Sequence, residues 1–217
     1  MKTLAMAAML AFSTEVSAFD LTPMDHCGAH SGALCTSANL KGVNWRGAQL
    51  AFAELERAQL SRARLQRATL EGADLKHANL ARANLTAANL RAADLSDASL
   101  EHAQLSKSDL SHARMHGVTM NDALLRDATL SAADLREAIL RSADFENAQM
   151  RQTELNRSDL SYANFHDADL SGAILSGANL RGANFRNANL NDANLVGANI
   201  EGAVFAGATM VNCVGCP

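Results

Sequence analysis

The sequence predicts an all-β chain: a four-sided, solenoidal parallel β-helix, with one side contributed by each run of five residues. Three observations carry this. Every residue whose number is divisible by five, from Leu40 to Met210, is large and apolar, 35 in all. Two residues before them, 30 of the 35 are alanine, and the exceptions are Val43, Ser108, Val118, Thr153 and Ser158. The aromatic residues of the apolar series, Trp45, Phe145, Phe165, Phe185 and Phe205, are separated by multiples of twenty.

A period of five suits neither regular element alone. On an α-helix five residues advance about 500°, so successive leucines would spiral over every side. On a straight strand an odd period sends alternate leucines to opposite faces. The spacing of two between alanine and leucine suits a short extended piece with both side chains inward. A turn must then follow before the next such piece. Four turns close a coil of twenty residues, and stacked coils bond backbone to backbone. The aromatic series is consistent with this, because positions twenty apart then share a column. Pro23 and Pro217 both lie outside the repeat, as a ladder that uses its N–H groups requires.

Along the chain, residues 1–18 have the form of a secretory signal peptide. Lys2 is followed by the apolar run Leu4 to Phe12, and Val16-Ser17-Ala18 places small residues before a cut at Phe19. The expectation is a periplasmic or secreted protein, with a cytosolic N-terminal helix as the alternative. No other segment is long and apolar enough to cross a membrane. Residues 19–37 read as an N-terminal cap, residues 38–212 as the β-helix, and residues 213–217 as a cysteine-containing tail.

The pattern of Ala78-Asn79-Leu80, Ala83-Asn84-Leu85 and Ala193-Asn194-Leu195 resembles that of the pentapeptide-repeat family. The resemblance covers about four-fifths of the chain. It implies a right-handed quadrilateral β-helix, here of about nine coils. Asn or Asp often precedes the central residue, as at Asn84, Asn89, Asp94, Asp134, Asp169 and Asn184. Such residues satisfy backbone groups in turns, which is their expected role here.

Formal net charge is -4, with 19 % charged residues, which excludes a polybasic nucleic-acid binder and a highly acidic tail protein. Residues 38–120 hold 11 Lys/Arg and 8 Asp/Glu, whereas residues 121–212 hold 7 and 12. Arg57, Arg62, Arg64 and Arg67 alternate with Glu54, Glu56 and Glu71, and so read as a mixed, solvated surface. Arg62, Arg82 and His102 share a column and form only a faint basic stripe. His112 and His116 fall on turns of a polar surface, where solvated histidines are the norm.

No nucleophile triad, phosphate-binding loop or dinucleotide fingerprint stands out, and no cofactor or catalytic residue is expected. Four cysteines in an exported chain favour disulfides, and the local pairs Cys27–Cys35 and Cys213–Cys216 are the economical ones. Metal binding by Asp25, His26, Cys27, His30 and Cys35 is an alternative, although the spacing matches no standard zinc module. Redox catalysis at Cys213 and Cys216 is weaker, because such a motif normally opens a helix. Phe205 and Met210, in the last coil, are the expected edge of a homodimer contact.

The leading functional expectation is a non-catalytic exported scaffold that binds a protein or envelope partner through its outer faces, without direct nucleic-acid binding. The resemblance implies a second possibility, a DNA-mimicking modulator of a type II topoisomerase. The mixed charge and the signal-like N-terminus depart from that pattern.

Overall fold

An inward alanine, one outward residue and an inward apolar residue leave two positions per pentad in which the chain changes direction. The computed structural model, which describes residues 27–217, uses both as a turn. The alanine-position N–H donates to the carbonyl of the preceding apolar residue, as from Ala58 to Leu55 at 3.0 Å. The second turn residue has positive φ at every fifth position from Gly32 to Asn212, between 52° and 75°. Positive φ at this position alone is the signature of a type II turn.

Between turns, the residue flanked by the two inward side chains forms a parallel bridge with the residue twenty positions on. The series runs from Leu34↔Glu54 to Asn194↔Val214. Each bridge is isolated, because the extended piece is too short to continue as a strand before the next turn. The expected all-β ladder is therefore built of single rungs. Its bonds are regular: Leu55 N–H donates to Asp74 O at 2.7 Å, Glu54 N–H to Ala33 O at 2.8 Å, and Arg57 N–H to Lys76 O at 2.8 Å.

The alanine and apolar series point inward and form one continuous core from Ala33 to Leu195, nearly every member fully buried. Ser108, Thr153 and Ser158 stand in the alanine series and are buried as well. Each hydroxyl donates to a backbone carbonyl, of Leu105, Leu130 and Leu155 respectively. This satisfies the hydroxyl inside an apolar interior.

The aromatic column divides in two. Phe145, Phe165, Phe185 and Phe205 stack with centroid separations of 5.1, 4.8 and 5.0 Å and nearly parallel planes. Trp45 does not join them, which corrects the expectation of a five-membered stack. Leu65, Leu85, Leu105 and Leu125 occupy the intervening rungs, and Trp45 is half-buried near the N-terminal end.

The register also passes both expected boundaries. Leu34 already pairs with Glu54, because Ala33 and Cys35 take the alanine and apolar places of an additional pentad, so the coil begins inside the expected 19–37 cap. At the other end Val214 pairs with Asn194, inside the expected 213–217 tail. The signal-like segment and residues 19–26 lie outside the described residues.

The stack makes a stability prediction. Phe165→Ala, buried between two rings, should cost about 3–5 kcal/mol, and Phe165→Leu only about 1 kcal/mol, since leucine fills the same column elsewhere. Urea denaturation followed by circular dichroism measures both. Equal losses for the two variants would contradict the stack as a packing device.

Candidate binding surfaces

In the coils bonded on both sides, the ladder and turn use the N–H of four residues in each pentad. The remaining one belongs to the first turn residue, and where Asn or Asp stands two positions earlier its side chain accepts it. Lys76 N–H donates to Asp74 Oδ1 at 3.1 Å, Thr86 to Asn84 at 3.0 Å, Arg136 to Asp134 at 3.1 Å and Val196 to Asn194 at 3.0 Å. The amides also link coils, with Asn164 donating to Asp144 at 2.9 Å and Asn184 to Asn164 at 2.9 Å. These polar residues are structural, and a binding role must be sought elsewhere on the surface.

The charged side chains are sorted. The register places residues 41–47, 61–67, 81–87 and 101–107 beside one another along the rod. This strip carries Lys41, Arg46, Arg62, Arg64, Arg67, Arg82 and Lys107 against Glu101 alone, a net +6. All seven cationic residues are exposed. None of them forms an ion pair among the described residues. An open hollow of ≈ 560 Å³ lies along it, lined by Lys41, Gly42, Ser61, Arg62, Ala81 and Arg82.

Ten residues on, half a coil away, residues 51–57, 71–77 and 91–97 form the far side. They hold six Asp/Glu and three Lys/Arg, a net -3. Here Glu54, Asp74 and Asp94 occupy consecutive rungs. Arg62, Arg64 and Arg67 thus lie away from Glu54, Glu56 and Glu71, and for them the expectation of a mixed surface is corrected; Arg57 stays among the carboxylates and pairs with Glu56 at 3.1 Å. Alternation in sequence becomes separation in space because the coil returns every twenty residues. The signal was available: reading the charges in columns of twenty extends the faint stripe of Arg62, Arg82 and His102 into a basic face.

The second half of the rod differs, because its charges pair. Arg126 Nε donates to Asp144 Oδ2, and Arg141 and Arg151 do likewise to Asp159 and Asp169. Arg136 grips Asp134 in a bidentate pair at 2.8 and 2.7 Å. A second hollow of ≈ 430 Å³ is lined by both signs, among them His116, Arg136, Glu137, Glu154 and Arg157. His116 Nε2 lies 3.8 Å from Glu137 and Arg157 Nη1 lies 3.9 Å from it.

The cysteines are bonded as Cys27–Cys35 and Cys213–Cys216. Cys35 and Cys213 occupy inward positions of the coil, Cys35 lies in the core, and Cys27, Cys213 and Cys216 pack against it. Asp25 and His26 of the metal alternative lie outside the described residues. Among the described residues no three His, Cys, Asp or Glu side chains converge as metal ligands. Ile200, Phe205 and Met210 are half-buried at the last coil, and their N–H groups find no backbone acceptor among the described residues.

The pairs set a pH response. Hydrogen bonds from the Arg136 side chain hold the Asp134 carboxyl below the ordinary carboxylate range. At Asp159 partial burial pushes upward but is outweighed by hydrogen bonds from Arg141 and Ser161, so the net shift is down. A carboxyl lowered on folding contributes stability above its unfolded value, about 3.9, and that contribution disappears as pH falls through the folded value. Thermal midpoints should therefore be insensitive to these groups from about pH 5 to 8 and drop below about pH 4. Asp134→Asn keeps an acceptor for the Arg136 N–H and should flatten part of the acid limb; an unchanged acid limb would remove Asp134 from the account.

The family model for pentapeptide repeats matches in 8 copies, over residues 31–67, 63–101, 83–122, 120–157, 138–177 and 178–214. No curated protein matches the chain in sequence. Several solved structures are similar. One is HetL, a pentapeptide repeat protein involved in heterocyst differentiation regulation from the cyanobacterium Nostoc sp. strain PCC 7120, at 32% identity, covering 81% of this chain and 86% of its own, TM-score 0.46. Another is a pentapeptide repeat protein from the Arabidopsis thaliana thylakoid lumen, at 33% identity, covering 46% and 66%, TM-score 0.32. QnrB1, a plasmid-mediated fluoroquinolone resistance protein, is 18% identical over 73% and 89%, TM-score 0.33. With the repeat matched from residue 31 to residue 214, the chain belongs to the pentapeptide repeat family.

Proposed function

We propose that the chain is a non-catalytic exported scaffold, which binds a protein or envelope partner through the outer faces of a rigid rod. The rod is four-sided and of about nine coils; the bridges at steps of twenty support this, and family membership supplies the right hand. The observation that carries the reading is the sorting of charge. Seven exposed cationic side chains on one strip form no ion pair among the described residues, whereas the Asn and Asp side chains beside the apolar rungs serve the backbone. Fixed charge on a stiff solenoid face suits recognition of an extended partner.

A DNA-mimicking modulator of a topoisomerase would need a continuous anionic face. In this chain Arg126, Arg136, Arg141 and Arg151 neutralise the carboxylates of the acidic half, which favours the scaffold.

Export is tested by N-terminal sequencing of the protein recovered from cells. The expected result is a mature chain starting at Phe19 in the periplasm or medium. Met1 retained on a wholly cytoplasmic protein would remove the exported scaffold.

The open rungs at Ile200, Phe205 and Met210 support a homodimer through the last coil. Light scattering at tens of micromolar should give twice the chain mass, and Phe205→Glu with Met210→Glu should return it to the monomer. A wild-type monomer at that concentration rules the contact out.

A further inference from the structure

We propose that the basic strip over residues 41–107 docks the rod flat on a surface of anionic lipid headgroups. This deepens the scaffold reading and rests on it, by naming the face and the chemistry of the partner.

Three features select that occupant. First, the strip is cationic over three successive coils, with Lys41 and Arg46 on one, Arg62, Arg64 and Arg67 on the next and Arg82 on the third, while Glu101 and Lys107 cancel on the fourth. Clusters of four to eight Lys/Arg are the number that anionic membranes attract. Second, no large apolar or aromatic side chain is exposed on the strip. Trp45 packs against the core, and the exposed aromatics Phe52 and Tyr162 lie outside these residues. A protein partner would call for a buried apolar or aromatic anchor, and a single-stranded nucleic acid for rings on which bases stack. Neither is present on this face. Third, the cations form an array across neighbouring coils, held by a ladder bonded at every pentad. Such an array meets many headgroups together without any one contact being specific.

The far side gives the rod an orientation. Its net -3 is repelled by the same headgroups, so one face turns toward the lipid and the opposite face toward solvent or a partner. The ion pairs of the second half leave few free cations there to compete.

The test uses the disulfide-bonded mature protein and sedimentation with vesicles of phosphatidylcholine, alone or with 30 mol % phosphatidylglycerol. Binding is expected only with phosphatidylglycerol, and it should weaken at least tenfold between about 50 and 300 mM salt. The triple variant Arg62→Ala, Arg64→Ala, Arg82→Ala should bind about a hundredfold more weakly. Its circular dichroism and thermal midpoint should match the parent, because these side chains form no ion pair among the described residues. The control Arg57→Ala, Lys76→Ala, Arg91→Ala removes the same charge from the far side and should bind like the parent.

Equal loss in both triples would reduce the effect to net charge and overturn the strip. Tighter binding to heparin or duplex DNA than to the vesicles would assign the face to another polyanion and overturn the lipid. No binding at low salt also overturns the docking, but it leaves the scaffold standing, since that reading fails on Met1 retained in the cytoplasm.

Discussion

The hydrogen bonds between residues nineteen to twenty-one apart are the interaction on which this structure depends. A chain that turns every five residues makes few contacts within its own coil. Its amides are satisfied only because the coil above or below offers a carbonyl in register. In the coils bonded on both sides, four N–H groups in each pentad find partners this way or across the turn, and one does not. The leftover group follows the apolar residue, where an Asn or Asp two positions earlier is within reach. The frequency of Asn and Asp in the motif is a consequence of that accounting. A buried or half-buried amide without an acceptor is costly, and the side chain supplies the acceptor that the backbone lacks.

The same ladder dictates the interior. Coils held at backbone-bonding distance place side chains of one column in direct contact, so each column needs residues of similar cross-section. Alanine fills one series and leucine the other, and rings follow one another from Phe145 to Phe205 at about the coil step. A serine enters the alanine series without disturbance when its hydroxyl reaches the carbonyl three residues back, as Ser108 and Ser158 do. Volume, more than chemistry, is what the column selects.

This explains how much was legible in the sequence. The period of five, the inward pairs and the twenty-residue coil could be read directly, because they act through residue size at fixed spacing. The role of the Asn and Asp residues was legible too, being local in sequence. Three features were not. Trp45 shares a column with the phenylalanines, but column membership says nothing of adjacency until the four intervening leucines are counted. Cys35 fills an apolar place of the series with a residue type whose strongest signal is pairing and not bulk. The basic face was hidden because neighbours in sequence, such as Arg57 and Arg62, stand on different sides of the coil. Charge patterns in a solenoid have meaning only after the sequence is folded at its own period.

The turns show where the ladder is strong. Every second turn residue has positive φ, which costs a residue with a Cβ of order 1 kcal/mol and costs glycine no steric penalty. Glycine takes three of the four such positions at residues 32–47 and six of the nine at residues 172–212. Between them, at residues 52–167, it takes two of twenty-four, and arginine, histidine, aspartate and alanine carry the strained conformation instead. Coils in the middle are bonded on both sides, so the neighbouring ladders hold a strained turn in place. The first coil and the last have a described neighbour on one side only, and there glycine relieves the strain at Gly32, Gly42, Gly47, Gly197, Gly202 and Gly207; Gly172, Gly177 and Gly182 stand in a coil bonded on both sides and do not follow from this. The positions freed from glycine are the ones that project charge, and Arg62, Arg67 and Arg82 of the basic strip all stand at them. A long rod therefore does more than extend its surface: middle coils bonded on both sides allow strained turns to carry charged side chains.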